Sequence, residues 1–169
     1  MSKLISILII LTLVFPNRGD LIDYNLTDEV TKEYAQNFMD AFVSGISGTG
    51  APQCRYGAKM YSITYETIDQ FGDIATASGA LIIPIGQIET LPLLSWHHGT
   101  EIKRSNTYSQ TGDFDILTMW LGATGYVTAL PDFLGLGVSD LFHPYQINIP
   151  SATAVIDMLI ASKELCDIE

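Results

Sequence analysis

Residues 91–100 read LPLLSWHHGT and residues 126–137 read YVTALPDFLGLG. Each is a short apolar run that breaks into a loop containing glycine. A run without polar alternation suits a strand covered on both faces. Between the two runs, Phe114, Leu117, Trp120 and Leu121 recur at helical spacing, and Gly125 stands where that helix would be capped. Trp96 and Trp120 read as core. Downstream, Ala152, Val155, Ile156 and Leu159 form one stripe of a last helix that starts near Asn148 or Ser151, with Asp157 and Glu164 on its solvated face.

Upstream, residues 59–68 alternate, with Tyr61, Ile63 and Tyr65 on one face, and residues 74–85 form a second strand. Asp69-Gln70-Phe71-Gly72-Asp73 joins them as a hairpin. Earlier still, Val30, Tyr34, Phe38, Ala41 and Phe42 predict a helix over residues 27–43, capped by Thr27 or Asp28, and then a glycine-rich loop. The predicted order is helix, hairpin, strand, helix, strand, helix. This is an α/β fold in which an antiparallel hairpin is followed by parallel strands.

Composition narrows the function. Of 169 residues, 47% are apolar and 16% charged, enough apolar side chain for a packed core. The net charge of −11, without a Lys/Arg cluster, argues against a nucleic-acid partner. Cys54 and Cys166 form no C-x-x-C, so a zinc site is not expected, and the two could pair or stay separate. Lys3, followed by the apolar residues 4–15, reads as a secretory signal over residues 1–19, too short for a stable membrane span. Gly19 is the best small residue at which to cut. Residues 20–55 are then the N-terminal helix and loop, and residues 56–169 the remaining domain. The mature chain would be exported and more acidic still.

In open α/β sheets, ligands bind beyond the carboxyl ends of the strands. Here those ends carry His97-His98-Gly99-Thr100 and Pro131-Asp132-Phe133-Leu134-Gly135-Leu136-Gly137, followed by His143-Pro144-Tyr145. Gly99 would let the chain turn tightly and leave the Thr100 N–H facing a ligand. Equally, Gly99 could merely end a strand, with His98 bonded beneath the loop. Gly135 and Gly137 lack the third glycine of G-x-G-x-x-G, because position 140 is Asp140, so no dinucleotide site is expected. His97 and His98 point to opposite faces if the strand continues through them, which disfavours a metal with Asp132 and His143. No cofactor is called for.

Taken in order, Tyr61–Tyr65, Ala77-Ser78-Gly79-Ala80, Ser95–Thr100, Gly125-Tyr126-Val127, Pro131–Gly137 and His143-Pro144-Tyr145, with the Ala-rich helix from Ser151, resemble the α/β-hydrolase superfamily, and more narrowly its secretory-lipase and esterase-like branch. The likeness covers residues 56–166. It implies a serine hydrolase acting on an ester or lipid substrate, with Thr100 as one oxyanion donor, His98 and Gly99 supporting its turn, and Asp132, Gly135 and Gly137 shaping the loop. A peptidase on the same fold, or a non-catalytic binding protein, are the other readings.

Such an enzyme needs G-x-S-x-G at a strand-to-helix elbow, then an acid, then a histidine. Gly45-Ile46-Ser47-Gly48-Thr49 and Gly137-Val138-Ser139-Asp140-Leu141 both lack the final glycine. The resemblance therefore implies a partial α/β-hydrolase fold, its N-terminal half, with all three catalytic residues after Glu169 and the C-terminal half as its missing partner. The source gene is expected to encode G-x-S-x-G within roughly 10–25 residues of Glu169, then Asp or Glu, then His. Sequencing the downstream DNA checks this, and a genomic stop codon after Glu169 would refute it.

Overall fold

A long hairpin sets the frame of the computed structural model, which describes residues 17–47, 51–87 and 89–169. Strand β2 (Gly57–Ile68) pairs antiparallel with β3 (Ile74–Ile85) from Gly57↔Ile85 to Ile68↔Ile74 without a slip. The Asp69 carboxylate closes the turn by accepting the N–H groups of Phe71 at 2.8 Å and Asp73 at 3.0 Å. The predicted turn is present, and β3 has the predicted bounds.

Two further strands extend the hairpin on one side. β5 (Val127–Pro131) lies antiparallel to β3, and β4 (Leu93–Ser95) lies parallel to β5. On the other side β1 (Leu21–Val30) lies antiparallel to β2, giving the order β1-β2-β3-β5-β4. Among the described residues, β4–β5 is the parallel pair.

β1 replaces part of the expected helix. Residues 27–30 belong to this strand, and helix α1 (Lys32–Ser47) starts only after Thr31, whose hydroxyl accepts the Tyr34 N–H at 3.1 Å. Within β1 only Val30 is buried, and two register shifts break its alternation. A charged, bulged strand at an edge resists pairing with other chains; Ile22, Tyr24 and Leu26 alternate with polar residues along it, although Ile22 and Leu26 stay half exposed. The helix faces differently too. Ala35 and Met39 are buried, while Tyr34, Phe38 and Phe42 are exposed.

The sheet is covered on both faces. Helix α4 (Asn148–Ile168) packs Met158, Ala161 and Leu165 against Tyr61, Ile63, Tyr65 and Leu81. On the opposite face, α1 and α3 (Ile116–Thr124) pack Ala35, Met39, Met119 and Ala123 against Met60, Ala80, Ile82 and Leu130. A capping box starts α3, where the Asp115 carboxylate accepts the Thr118 N–H and the Thr118 hydroxyl accepts the Asp115 N–H. Gly125 ends it in the left-handed conformation, φ 106°.

Four expectations are corrected here. The buried stripe of α4 is Ala154, Asp157, Met158, Ala161, Ser162 and Leu165, so Ile156 faces out and Asp157 faces in. Trp96 and Trp120 are surface residues. β4 is shorter than expected and not buried on both faces, with Leu93 exposed, although backbone pairing to β5 runs from Pro92 to Trp96. Gly45 lies within α1 rather than in a loop. Cys54 and Cys166 are free thiols, and burial pushes the pKa of each up.

Most of the predicted leader, residues 1–16, lies outside the described residues. No described helix is long and apolar enough to cross a membrane.

The phase of α4 is open to test. Leu165→Ala is expected to destabilise the full-length protein by about 2–5 kcal/mol, whereas Ile156→Ala should stay within about 0.5 kcal/mol. Urea unfolding of the two variants measures the contrast, and the reverse order would contradict the phase seen here.

Candidate functional site

The loops that leave β4 and β5 meet at the carboxyl ends of these two parallel strands. The loop after β5 is fastened from beneath. Asp132 is buried, and its carboxylate accepts the Ser78 hydroxyl at 2.6 Å and also the Ser109 hydroxyl. The Asp132 N–H donates to the Ser78 carbonyl at 2.9 Å, and the Val138 N–H donates to the Ser78 hydroxyl at 3.0 Å. Burial raises the carboxyl pKa; the Ser109, Ser78 and Thr107 hydroxyls oppose that rise without cancelling it.

Gly135 and Gly137 permit the tight return of this loop. Both have positive φ, 78° and 56°. A Cβ on Gly137 would overlap the Ser78 hydroxyl and the Asp132 carboxylate, and one on Gly135 would overlap the backbone of His143. The His143 Nδ1 lies 2.6 Å from the Leu134 carbonyl, and the Arg104 guanidinium donates to the carbonyls of Ser139 and Leu141.

The loop after β4 rests on this base. The His98 ring lies between the Gly99 carbonyl, 2.6 Å from Nδ1, and the Asp132 carbonyl, 3.2 Å from Nε2. The chain bends after Ser95, so His97 and His98 both pack edge-on against Phe133, at 5.7 and 5.3 Å, instead of facing apart. Burial lowers the His97 pKa, and His98 adds to the shift. No group of three or more metal-ligating side chains converges among the described residues.

Gly99 sits differently from expectation. Its φ is not in the left-handed region, and a Cβ there would meet nothing within 4 Å. The turn does not demand glycine; its bare Cα leaves space beside Thr100. The Glu101 carboxylate takes the next two backbone donors, the N–H groups of Ile102 at 2.7 Å and Lys103 at 2.8 Å, and the Asn106 amide together with these N–H groups lowers its pKa. The Thr100 N–H, in contrast, donates to no acceptor among the described residues. The Thr100 hydroxyl lies 2.9 Å from the Tyr145 hydroxyl.

These groups enclose a cleft of about 240 Å³ lined by Gly99, Thr100, Phe133, His143, Tyr145 and Gln146. Thr100 also lines an adjoining apolar groove of about 480 Å³, walled by Ile102, Leu136, Leu141 and Phe142. Phe133 (φ 68°) and Gln146 (φ 61°) are the non-glycine residues with positive φ among those described, and both line the cleft. A side chain held there costs about 1–3 kcal/mol, and such positions cluster at functional sites. Ser139, the one serine of the glycine-bearing loop, is buried at 1% exposure and faces no opening.

Sequence reasoning did not single out Phe133, Arg104, Ser109 or Tyr145 as site residues. His143-Pro144-Tyr145 was visible as a motif. Nothing in the residues near Arg104 or Ser109 marks a role played through contacts across the fold.

The architecture matches solved esterases and lipases. The rice cell wall degrading esterase LipA of Xanthomonas oryzae superposes with a TM-score of 0.77 at 32% identity, over 90% of this chain and 39% of that one. The chain belongs to the α/β-hydrolase superfamily. A hydrolase-like protein of Legionella pneumophila matches with a TM-score of 0.73 at 29% identity, over 87% of this chain and 39% of its own. Candida antarctica lipase A in its closed state shares the fold, with a TM-score of 0.56 and 13% identity over 89% of this chain and 33% of that one. The α/β-hydrolase chain described here thus spans well under half the length of these relatives. No family model and no curated protein matches it.

The raised Asp132 pKa sets a sign. The native state binds the carboxyl proton more tightly than the unfolded chain, so this group favours folding more as pH falls through its native pKa toward about 3.9. Relative to Asp132→Asn, the parent protein should gain stability on acidification across that window. Urea unfolding of both at a series of pH values tests it, and a flat or opposite difference would contradict the assignment.

Proposed function

We propose that this chain is the N-terminal half of an exported serine ester hydrolase of the lipase and esterase type, working through an acyl-enzyme. The likeness to an esterase over 90% of the chain supports this reading. Acyl transfer develops negative charge on the carbonyl oxygen, and a backbone N–H already aimed at that oxygen stabilises it with no reorganisation. Thr100 offers such a donor at the carboxyl end of β4. Its hydroxyl partner Tyr145 steadies the loop from across the cleft. Glu101 turns its charge onto the Ile102 and Lys103 N–H groups, which spares the oxyanion a bare neighbouring carboxylate.

The nucleophile, acid and base lie beyond Glu169 in this proposal. Residues 20–169 alone should turn over no ester, since the sole serine in the glycine-bearing loop is buried and one half of an oxyanion hole forms no acyl-enzyme.

In the full-length protein, Thr100→Pro removes the N–H and should lower kcat on a soluble chromogenic ester by about 10²-fold or more. Thr100→Ala keeps the N–H and loses only the bond to Tyr145, so its effect should be much milder. Steady-state kinetics on both variants decide the matter, and equal losses would count against the backbone-donor role.

A further inference from the structure

We propose that Arg18–Asp20 are part of the mature domain and that export processing cuts on the N-terminal side of Arg18, not after Gly19. The cutting step rests on the export reading. The anchoring of these residues rests on geometry alone.

Asp157 lies midway along α4, and its side chain is 1% exposed. Its carboxylate accepts the Thr67 hydroxyl from β2 at 2.7 Å. The Arg18 guanidinium meets it as a fork, Nε to Oδ2 at 3.1 Å and Nη2 to Oδ1 at 3.0 Å. Among the described residues no other cation forms a salt bridge with Asp157. The paired geometry is what makes an ionised carboxylate tolerable at this depth.

The residues around Arg18 are built into the sheet. The Gly19 N–H donates to the Glu66 carbonyl at 2.8 Å, and the Glu66 N–H donates to the Asp20 carbonyl at 3.0 Å. Asn17 and Asp20 close a turn, with the Asp20 N–H on the Asn17 carbonyl at 2.9 Å and the Asn17 N–H on the Asp20 carboxylate at 2.6 Å. Gly19 is itself buried. A cut after Gly19 would remove the Gly19 bond and the turn, and would strip the guanidinium from a buried carboxylate. Breaking a buried pair from one side is the costly direction, because the remaining charge stays behind. Gly19 therefore serves as a packed residue of the domain, although its small size suits a leader boundary.

The test uses the complete protein expressed behind its own leader. N-terminal sequencing of the exported form should give a first residue at Arg18 or earlier. Full-length protein starting at Asp20 should melt at least about 6 °C below that starting at Asn17. Asp157→Asn should raise the Tm of the Asp20 form and lower that of the Asn17 form. If the Asp20 form does not fold, recovery of soluble protein by Asp157→Asn reads the same coupling. A natural start at Gly19 or later, equal Tm values for the two forms, or the same Asp157→Asn shift in both would overturn the proposal. Retention of Met1 would defeat the export reading and the cut with it, while the anchoring by Arg18 would still stand or fall on the Tm coupling.

Discussion

A single buried carboxylate holds the two loops of the cleft in one frame. Asp132 follows β5 directly, and its side chain is claimed by hydroxyls from β3 and α2 (Tyr108–Thr111), Ser78 and Ser109. The Asp132 main chain is claimed as well, its N–H by Ser78 and its carbonyl by His98. One residue therefore joins the middle of the sheet, the short α2 helix and both loops. The arrangement works only because Gly137 has no side chain, which lets the backbone return over Ser78 and donate the Val138 N–H to it. A carboxyl group kept this deep is tolerable only while its hydrogen bonds are made, so any shift of these loops would expose the energetic cost of the buried acid. That makes the loop platform stiff.

In the proposed function this platform supports a donor that has to remain uncommitted in the resting molecule and yet stay in place. The proposed donor, the Thr100 N–H, bonds to no acceptor among the described residues. On either side of it the chain is held, the Gly99 carbonyl 2.6 Å from the His98 Nδ1 and the Ile102 and Lys103 N–H groups on the Glu101 carboxylate. Position and availability come from different residues.

Much of the frame was legible in the sequence, because it is written in local patterns. The hairpin is an alternating run at Tyr61, Ile63 and Tyr65 and a second apolar run joined by an Asp-rich turn, and Gly125 marks the end of α3. What escaped has non-local causes. β1 is the exception: Ile22, Tyr24 and Leu26 alternate with Asp23, Asn25 and Thr27 in plain view, and the strand is held by its backbone ladder to β2 with Ile22 and Leu26 half exposed. α4 offered two interleaved stripes, Ala152, Val155, Ile156 and Leu159 against Ala154, Met158, Ala161 and Leu165. Choosing the first followed the bulkier side chains. The sheet took the smaller ones, because alanine lets a helix approach closely and Met158 fills the remaining gap. The same rotation turned Asp157 inward, and a buried acid is foreseeable only when its partner, here 139 positions earlier, is known to lie beside it. At the cleft, Thr100, His98, Asp132 and the two glycines were visible as residues at strand ends, whereas Phe133 was not, since a bulky residue in the left-handed region contradicts every local preference.

That contradiction is informative about the cleft. Nothing in the local sequence favours Phe133 at φ 68° or Gln146 at φ 61°, so each conformation is imposed by its surroundings. For Phe133 these are identifiable: Asp132 is fixed on its N-terminal side, the Leu136 N–H closes a turn onto the Phe133 carbonyl at 3.2 Å, and the His97 and His98 rings pack against the Phe133 ring. Relaxing the backbone would shift the phenyl ring against both histidines, and the His98 ring in turn lies against the Gly99 carbonyl, just ahead of Thr100. In the proposed function the strain in Phe133 therefore bears on where the Thr100 N–H sits. A less strained loop would be easier to fold but would hold that donor less firmly, which is the balance expected where a fold stores strain to keep a site in place.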